Sequence, residues 1–305
     1  MLTSEKTISE VLAEFLGDLD ISKASLALYR RVLILFIKYL SINNLSYNSL
    51  TRQDVIIWKS QIADSHLPKT TNLYLSVVKS FYKWLKISGI YEDYTLGIKL
   101  LDVPHTYRKL PLTTSQVQDL LNSIDIQSPI GKRDHALINL MILTGLRRIE
   151  IHRLDVADIL ELNGKPALNI WRKGHTSKDN FKVISNELVN ELKELICICP
   201  ENQIESLFVA MVPGKKQTKL STRRISEIVS KRLRAIGLTG KMYTAHSLRH
   251  TTAVLLLENG YDLHYVQMAL GHSSPGTTQL YAKYIQDKLN LNTDGIISLQ
   301  NLFKK

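Results

Sequence analysis

The chain has 305 residues, with 39 lysines and arginines against 28 acidic residues and a formal net charge of +11. This length is enough for two domains of ordinary size, and the positive charge favours an acidic partner, of which nucleic acid is the commonest. Because no uncharged apolar run could span a bilayer and the acidic N-terminus does not form a signal peptide, we expect a soluble cytoplasmic protein without membrane contact.

The two cysteines give no support to a disulfide or metal framework. Cys197 and Cys199 are separated by a single residue inside an apolar run. Such a pair forms neither a disulfide scaffold nor a zinc site by itself, so we interpret both as buried small hydrophobic residues. A reducing compartment follows from this pattern.

Residues 1–96 have the apolar spacing of a helical bundle. Apolar side chains recur at intervals of three and four residues in four segments, and Thr51 and Pro68 are suited to helix starts. We predict an N-terminal domain of four short helices, with Lys79 and Lys83 as candidate contacts to nucleic acid. A solvated helix face explains these two lysines equally well.

Residues 97–112 lose helical periodicity and contain Pro104 and Pro111. This composition predicts an extended linker. The second domain then covers residues 113–305. Its first helices are predicted to start at Thr113 and to cover residues 134–143, and the second of them ends at Gly145.

The heptapeptide TGLRRIE, residues 144–150, follows directly. A glycine at a helix end lets the backbone turn sharply, which allows the side chain of Arg147 to enter a cleft. Taken alone, Arg147 is more simply an exposed cation.

Two β-strands are predicted next, over residues 166–171 and 181–184, and a long polar loop joins them into a hairpin. The loop carries Lys173, in a Lys-Gly pair, and Lys178. Either ammonium could reach a phosphate or donate a proton to a leaving oxygen.

The densest basic stretch begins after a further helix predicted over residues 187–198. Residues 211–219 form a loop punctuated by proline and glycine that contains Lys215 and Lys216. Residues 220–236 are predicted to be helical and carry Arg223 and Arg224. These four cations are candidate contacts to a nucleic-acid backbone, and a solvated surface is the alternative.

Residues 244–284 hold four reactive side chains on a segment with helical apolar spacing. His246 and Arg249 share one helical face, and His272 and Tyr281 follow. Phosphoryl transfer needs a nucleophile, cations around the phosphate oxygens and a proton donor for the leaving oxygen. Because a phenol can attack phosphorus and a guanidinium can bind two phosphate oxygens, these residue types favour this chemistry.

The motif His246-x-x-Arg249-His250, followed by Leu-Gly-His272 and by Tyr281 nine residues later, resembles the tyrosine recombinases, the family of phage integrases and Xer-type resolvases. The resemblance implies a mainly α chain with a small β-sheet. An N-terminal helical, SAM-like core-binding bundle and a mixed α+β catalytic domain would form a C-shaped clamp on double-stranded DNA.

The resemblance also implies roles for the matching positions. Tyr281 would attack a scissile phosphate to form a 3′-phosphotyrosine, while Arg147 and Arg249 hold the non-bridging oxygens. His246 would accept or shuttle the tyrosine proton, and His272 would hydrogen-bond the phosphate.

Lys173 matches the catalytic lysine of the family's hairpin and would protonate the leaving 5′ oxygen. Lys178 remains the alternative. Tyr284, one helical turn after Tyr281, is a second candidate for the nucleophile. The spacing from His272 favours Tyr281, and we expect Tyr284 to be packed. His250 is expected to brace the site. Glu150, at the position of the family's acidic residue, is expected to brace the turn that carries Arg147.

The implied function is site-specific recombination through a Holliday junction, in the integration, excision or resolution of a mobile element or replicon. Because the phosphotyrosine stores the bond energy, no cofactor or metal is expected. The implied assembly is a homotetramer on two DNA sites, linked by exchange of the apolar C-terminal tail, residues 286–305.

Three alternatives belong to other classes. His246, His250 and His272 could bind a metal, but the HExxH motif is absent and Arg249 would place a cation beside it. The chain could instead be a DNA-binding protein without catalysis. A type IB topoisomerase has similar active-site residues but acts as a monomer.

Overall fold

A computed structural model describes residues 7–103, 109–172, 177–178, 180–198, 205–211, 217–271 and 275–292. The chain divides into two compact units, Met1–His105 and Thr106–Lys305. Helices dominate both units, and the described strands form two small antiparallel sheets. The predicted fold class, mainly α with a small β-sheet, is therefore confirmed. Within these residues, no helix has the length and apolar character needed to cross a bilayer.

The first unit contains the four predicted helices. Their starts are fixed by the polar side chains of Thr7, Ser22 and Thr51, which accept backbone N–H bonds, and by Pro68 in the first turn of the fourth helix. The helices are α1 (Ile8–Gly17), α2 (Lys23–Ile42), α3 (Arg52–Ser65) and α4 (Pro68–Ile87).

An aromatic core holds this bundle together. The ring of Phe36 packs edge-on against Trp58 and Tyr82, with centroids 5.0 and 6.1 Å apart, and Phe15 packs against Phe81 at 5.3 Å. Edge-to-face pairs add to the stabilisation that apolar burial provides. The bundle thus has a core of its own.

Both ends of the predicted linker are attached to the unit next to them. On the first unit, Lys59 donates to the carbonyl of Lys99 at 2.7 Å, and Asn72 bonds the backbone of Leu101 in both directions. On the second unit, the N–H of Leu112 donates to the hydroxyl of Thr251 at 2.8 Å. Pro104 lies outside the described residues.

The second unit is built around one buried helix, α6. Its residues Leu137 and Leu140 are fully buried, and α8 and α10 pack against it. The helices of this unit are α5 (Thr114–Asn122), α6 (Pro129–Thr144), α7 (Arg148–Arg153), α8 (Asn186–Cys197), α9 (Thr222–Ala235), α10 (Ala245–Glu258), α11 (Leu263–Leu270) and α12 (Pro275–Asn292).

The interpretation of Cys197 as buried is wrong, since its side chain is exposed at the end of α8. Cys199 lies outside the described residues.

The main sheet has one strand more than the sequence analysis predicted. It is antiparallel, in the order β1 (Ile159–Leu162), β2 (Lys165–Ile170) and β3 (Asn180–Val183). Asn163 and Gly164, with φ of 52° and 74°, form the turn between β1 and β2. An Asn-Gly pair is a strong hairpin signal, and this one marks a turn that was not among the predicted elements. A second small sheet, β4 (Val209–Ala210) with β5 (Thr218–Lys219), lies partly where only a loop was predicted.

A buried carboxylate joins α6 to α9. Asp134 accepts from Arg133 at 3.0 Å through one oxygen and from Arg232 at 2.9 and 2.7 Å through the other. Asp134 and Arg133 are almost completely buried. Removing one member of such a group leaves uncompensated charge in the interior.

We expect Asp134→Asn to lower the free energy of unfolding by about 3–5 kcal/mol, because two guanidiniums lose their shared counter-ion in a buried site. Urea unfolding followed by circular dichroism measures this loss. The matched control is Glu227→Gln, since Glu227 also joins two arginines, Arg223 and Arg224, but at an exposed site. Solvent screening makes that pair weak, so equal losses in the two variants would contradict the prediction.

Candidate active site

Arg147 is positioned by the sharp turn between α6 and α7. Helix α6 ends at Gly145, which has a left-handed φ of 63°, and Arg147 forms the N-terminal cap of α7. The carboxylate of Glu150 accepts from the backbone N–H of Arg147 at 2.8 Å and from its guanidinium at 2.9 Å. Glu150 therefore braces this turn, as the sequence indicated, although it is only 2% exposed.

Arg249 lies on α10 and reaches the ends of two other helices. One guanidinium nitrogen donates to the carbonyl of Gly145 and another to that of Leu270, each at 2.6 Å. Arg147 donates to the neighbouring carbonyl, that of Gly271, at 3.2 Å. Two guanidiniums from segments about a hundred residues apart in sequence thus bind adjacent residues at the C-terminus of α11.

The site is desolvated and strongly positive. Arg249 is 2% exposed. Burial, with the nearby charge of Arg147, lowers the pKa of Arg249 to about 10. Both effects disfavour the charged form of the guanidinium. A bound anion would stabilise that charged form, so the site favours an anionic ligand.

His246 begins the same helix. The residue is exposed at the surface, but the surrounding protein desolvates the ring, and Arg249, Arg147, Arg148 and Lys109 add positive charge. Together these effects lower the pKa of His246 to about 4. The imidazole is therefore neutral at neutral pH and can accept a proton.

Tyr281, on α12, packs into the same unit beside this helix. It is 3% exposed and belongs to a small apolar cluster with Val254, Val266 and Leu270. Its ring is nearly perpendicular to that of His250, with centroids 5.0 Å apart, and the ring of His250 in turn lies 4.8 Å from that of His246. Tyr284 is partly buried against the same cluster, as expected for a packed residue.

The charge state of Tyr281 reflects two opposing effects. Burial raises the pKa of Tyr281, and the charges of Arg249 and Arg147 act in the opposite direction without cancelling it. The phenol therefore keeps its proton at neutral pH. Its deprotonation would require a base during the reaction.

Several candidates fall outside the described residues, and one hairpin lysine is engaged elsewhere. Lys173, His272, Lys215 and Lys216 lie outside the described part of the chain. Lys178 donates to Asp155 at 3.0 Å and to Asp158 at 2.8 Å. Desolvation alone would lower the pKa of Lys178, but the bonds to these two carboxylates outweigh it and leave the pKa raised.

The remaining candidate contacts to nucleic acid have different environments. The ammonium of Lys79 donates to the carbonyl of Ile98 at 2.9 Å, whereas Lys83 is exposed. Arg223 and Arg224 are exposed on α9 and both bond Glu227.

Two residues of the site, Lys182 and Arg172, were not among the predicted site residues. Lys182 of β3 is half-buried, and its ammonium donates to the carbonyls of Thr144 and Ala269. Desolvation and Arg249 lower the pKa of Lys182 to about 8. Arg172 is close to the end of α11, because a Cβ added at Gly271 would lie 2.8 Å from its guanidinium carbon. Strand alternation in the predicted hairpin could have assigned Lys182 to the inner face, but not its partners.

Two family models match the two units. The phage integrase family model matches residues 111–287, and the model of the phage integrase N-terminal SAM-like domain matches residues 12–89. The chain belongs to the phage integrase family. The resemblance to the tyrosine recombinases and the predicted enzyme class, a tyrosine site-specific recombinase, are confirmed, and a DNA-binding protein without catalysis is not favoured.

Individual relatives agree with this assignment. The recombinase is 31% identical over 290 residues to the tyrosine recombinase XerD of Rickettsia bellii, and the match covers 90% of this chain and 92% of that protein. A structure of XerH site-specific recombinase bound to palindromic difH substrate, a post-cleavage complex, matches with a TM-score of 0.73 at 20% identity, covering 99% of this chain and 92% of that chain. A lambda integrase tetramer bound to a Holliday junction matches with a TM-score of 0.68 at 17% identity, covering 92% and 78%. At these identities the two structures establish the fold.

We expect Gly145→Ala to destabilise the recombinase more than Gly260→Ala. Both glycines have positive φ, 63° and 84°, so alanine is strained at both by about 1–2 kcal/mol. Only at Gly145 would the new Cβ meet another group, Leu270 at 2.4 Å, which adds about 1–3 kcal/mol of overpacking. Urea unfolding of the two variants measures the difference, and equal losses would contradict it.

Proposed function

We propose that Tyr281 is the nucleophile of the recombinase and that Arg147 and Arg249 bind the scissile phosphate. The main support is the placement of the two guanidiniums on the adjacent carbonyls of Gly271 and Leu270, in the unit that buries Tyr281. The carbonyls of Gly145 and Leu270 orient the guanidinium of Arg249. The carbonyl of Gly271 and the carboxylate of Glu150 orient that of Arg147. A phosphate can then be bound through the remaining N–H donors.

His246 accepts the phenolic proton in this mechanism. Its low pKa keeps the imidazole neutral before DNA binds, and Tyr281 needs a base because burial raises the pKa of its phenol. A bound phosphate would raise the pKa of His246 towards neutrality, which makes proton transfer from the phenol more favourable. The phenol oxygen forms a bond to phosphorus, and the bond from phosphorus to the 5′ oxygen breaks.

Lys173 donates the proton that the 5′ oxygen takes up, and His272 hydrogen-bonds the phosphate. Both residues lie outside the described part of the chain, so these roles rest on the family resemblance. The ion pairs of Lys178 support the choice of Lys173, because they engage the ammonium of Lys178 and raise its pKa, which makes it a weaker acid. A lysine that donates a proton at neutral pH needs a lowered pKa.

The substrate is a double-stranded DNA recombination site in the cytoplasm. We propose that residues 1–96, joined by the linker 97–112 to the catalytic domain 113–305, form a clamp around it. The cations Lys79, Lys83, Lys215, Lys216, Arg223 and Arg224 are candidate backbone contacts. Since the phosphotyrosine stores the energy of the broken bond, a 5′-hydroxyl of another strand can reverse the attack without a cofactor, and exchange passes through a Holliday junction.

A homotetramer on two DNA sites completes the proposal. The lambda integrase structure of similar fold is a tetramer bound to a Holliday junction, which supports this assembly. The first part of the predicted tail continues α12, and Lys288 is paired with Glu258 of α10 at 2.7 Å. Residues 293–305 lie outside the described part of the chain and are the segment we expect to exchange.

We expect the wild-type protein, but not Tyr281→Phe, to form a covalent adduct with DNA. Nicked suicide duplexes made from the DNA that flanks the gene are incubated with the protein, and the mixture is denatured. The DNA in the covalent adducts is then sequenced, which identifies the duplex that the protein cleaves, here called the captured duplex. Tyr284→Phe is the matched control, since it removes a phenol one helical turn away, and it should retain adduct formation. Adducts formed by Tyr281→Phe, or lost only in Tyr284→Phe, would move the nucleophile to Tyr284.

We expect deletion of residues 293–305 to leave single-site DNA binding intact but to abolish the assembly of two sites. The deletion spares α12 and therefore the packing of Tyr281. Gel-shift titration on the captured duplex measures both the single-site complex and the complex of two sites. Normal formation of the two-site complex by the truncated protein would reject tail exchange as the link between subunits.

A further inference from the structure

Lys182 is a lysine of the site to which the proposed mechanism gives no role. Alternation along β3 directs Lys182 towards the protein, while its neighbours Phe181 and Val183 are exposed on the outer face. An inward-facing ammonium without a carboxylate bonded to it is costly unless backbone carbonyls satisfy it. Those it contacts, Thr144 and Ala269, belong to α6 and α11.

The contacts of Lys182 run parallel to those of Arg249. Lys182 binds the carbonyls of Thr144 and Ala269, and Arg249 binds those of Gly145 and Leu270, the next residue in each helix. Two cations therefore connect the same two helix ends at successive residues. A shift of α6 relative to α11 would disturb both pairs of bonds together.

The two connections are unequal in chemistry. Arg249 is the proposed phosphate ligand, so its guanidinium must donate to the phosphate as well as to the carbonyls of Gly145 and Leu270. Lys182 binds only backbone among its described hydrogen bonds. Lys182 lies in β3, the second strand of the predicted hairpin whose loop contains Lys173. Its bonds therefore also attach β3 to the ends of α6 and α11.

We propose that Lys182 is a positioning residue for phosphoryl transfer: its ammonium holds the ends of α6 and α11 together and thereby sets the guanidinium of Arg249 in the orientation that cleavage requires. The inference rests on the proposed role of Arg249. It adds a residue that touches no reacting atom. The depressed pKa of Lys182 agrees with an ammonium that is desolvated and close to Arg249 and Arg172, with Glu150 the acidic group that acts in the opposite direction.

The test compares Lys182→Met, which keeps much of the side-chain volume but loses the donors, with Lys182→Arg, which keeps donors and charge. Lys165→Met is the matched control, because Lys165 is an exposed lysine of the same sheet. Each variant is mixed in excess with the captured duplex, and the rate of adduct formation is measured at saturating protein. The dissociation constant for the duplex and the melting temperature of the variant are measured separately.

We expect Lys182→Met to lower the cleavage rate about 10- to 100-fold with little change in DNA affinity, because small displacements of a catalytic group have effects of this size. Lys182→Arg should recover most of the rate, and Lys165→Met should match the wild type. An unchanged rate in Lys182→Met, or a rate loss that only parallels a loss of melting temperature in both Lys182 variants, would overturn the proposal.

A second substrate separates positioning from proton donation. A duplex with sulfur in place of the bridging 5′ oxygen has a leaving group that needs no protonation. Lys182→Met should remain slow on this duplex, since a misoriented Arg249 affects both substrates. Full recovery of the rate would make Lys182 the general acid and would overturn the positioning role.

Failure of the proposed function gives a different result, because the wild type itself would then form no adduct. In that event calorimetric titration with inorganic tungstate, a tetrahedral dianion like phosphate, tests the positioning role without DNA. We expect several-fold weaker tungstate binding in Lys182→Met than in the wild type and in Lys165→Met. Equal affinity in all three proteins would overturn the proposal.

Discussion

The site depends on the balance between clustered cations and the carbonyl oxygens at two helix C-termini. Helices α6 and α11 end at left-handed glycines, Gly145 and Gly271, with φ of 63° and 64°. Each helix end carries roughly half a negative elementary charge, which offsets repulsion among the cations bound there. Positive charges from α7, α10 and β3 can therefore be held close together. The cluster stays positive overall, since Glu150, which is buried and accepts from Arg147, is one carboxylate among several cations.

Helix α10 shows how the fold accommodates this requirement. Its buried face contains polar residues that a simple core helix would not have, among them Thr251 and Thr252. The hydroxyl of Thr252 donates to the carbonyl of Ile142 at 2.6 Å, and that of Thr251 accepts from the N–H of Leu112. These bonds fix α10 on α6 and on the start of the unit. Arg249 is thus held in place by the packing of the helix that carries it.

The sequence predicted the parts of this site that local chemistry determines. In the site, the glycine after α6 follows from its helix-end signal, and the bracing carboxylate Glu150 from the family's acidic position. In the first unit, the four helices follow from periodicity. Strand β1 was missed because four residues give too short an alternation, although the Asn-Gly turn marked it. The ion pairs of Lys178 and the backbone contacts of Lys182 join segments far apart in sequence, so no local pattern could reveal the partners of either lysine.

Desolvation and positive charge together determine the protonation states of the side chains in the site before DNA binds. They lower the pKa of His246 to about 4, of Lys182 to about 8 and of Arg249 to about 10, while burial raises the pKa of Tyr281. An incoming phosphate raises the pKa of all four groups, because its negative charge favours the protonated form of each. At neutral pH this change removes no proton from the phenol or from the ammonium of Lys182, and it makes the neutral imidazole of His246 more basic. The phosphate thus strengthens the base His246 as it arrives, and the phenol gives up its proton only as its oxygen bonds to phosphorus.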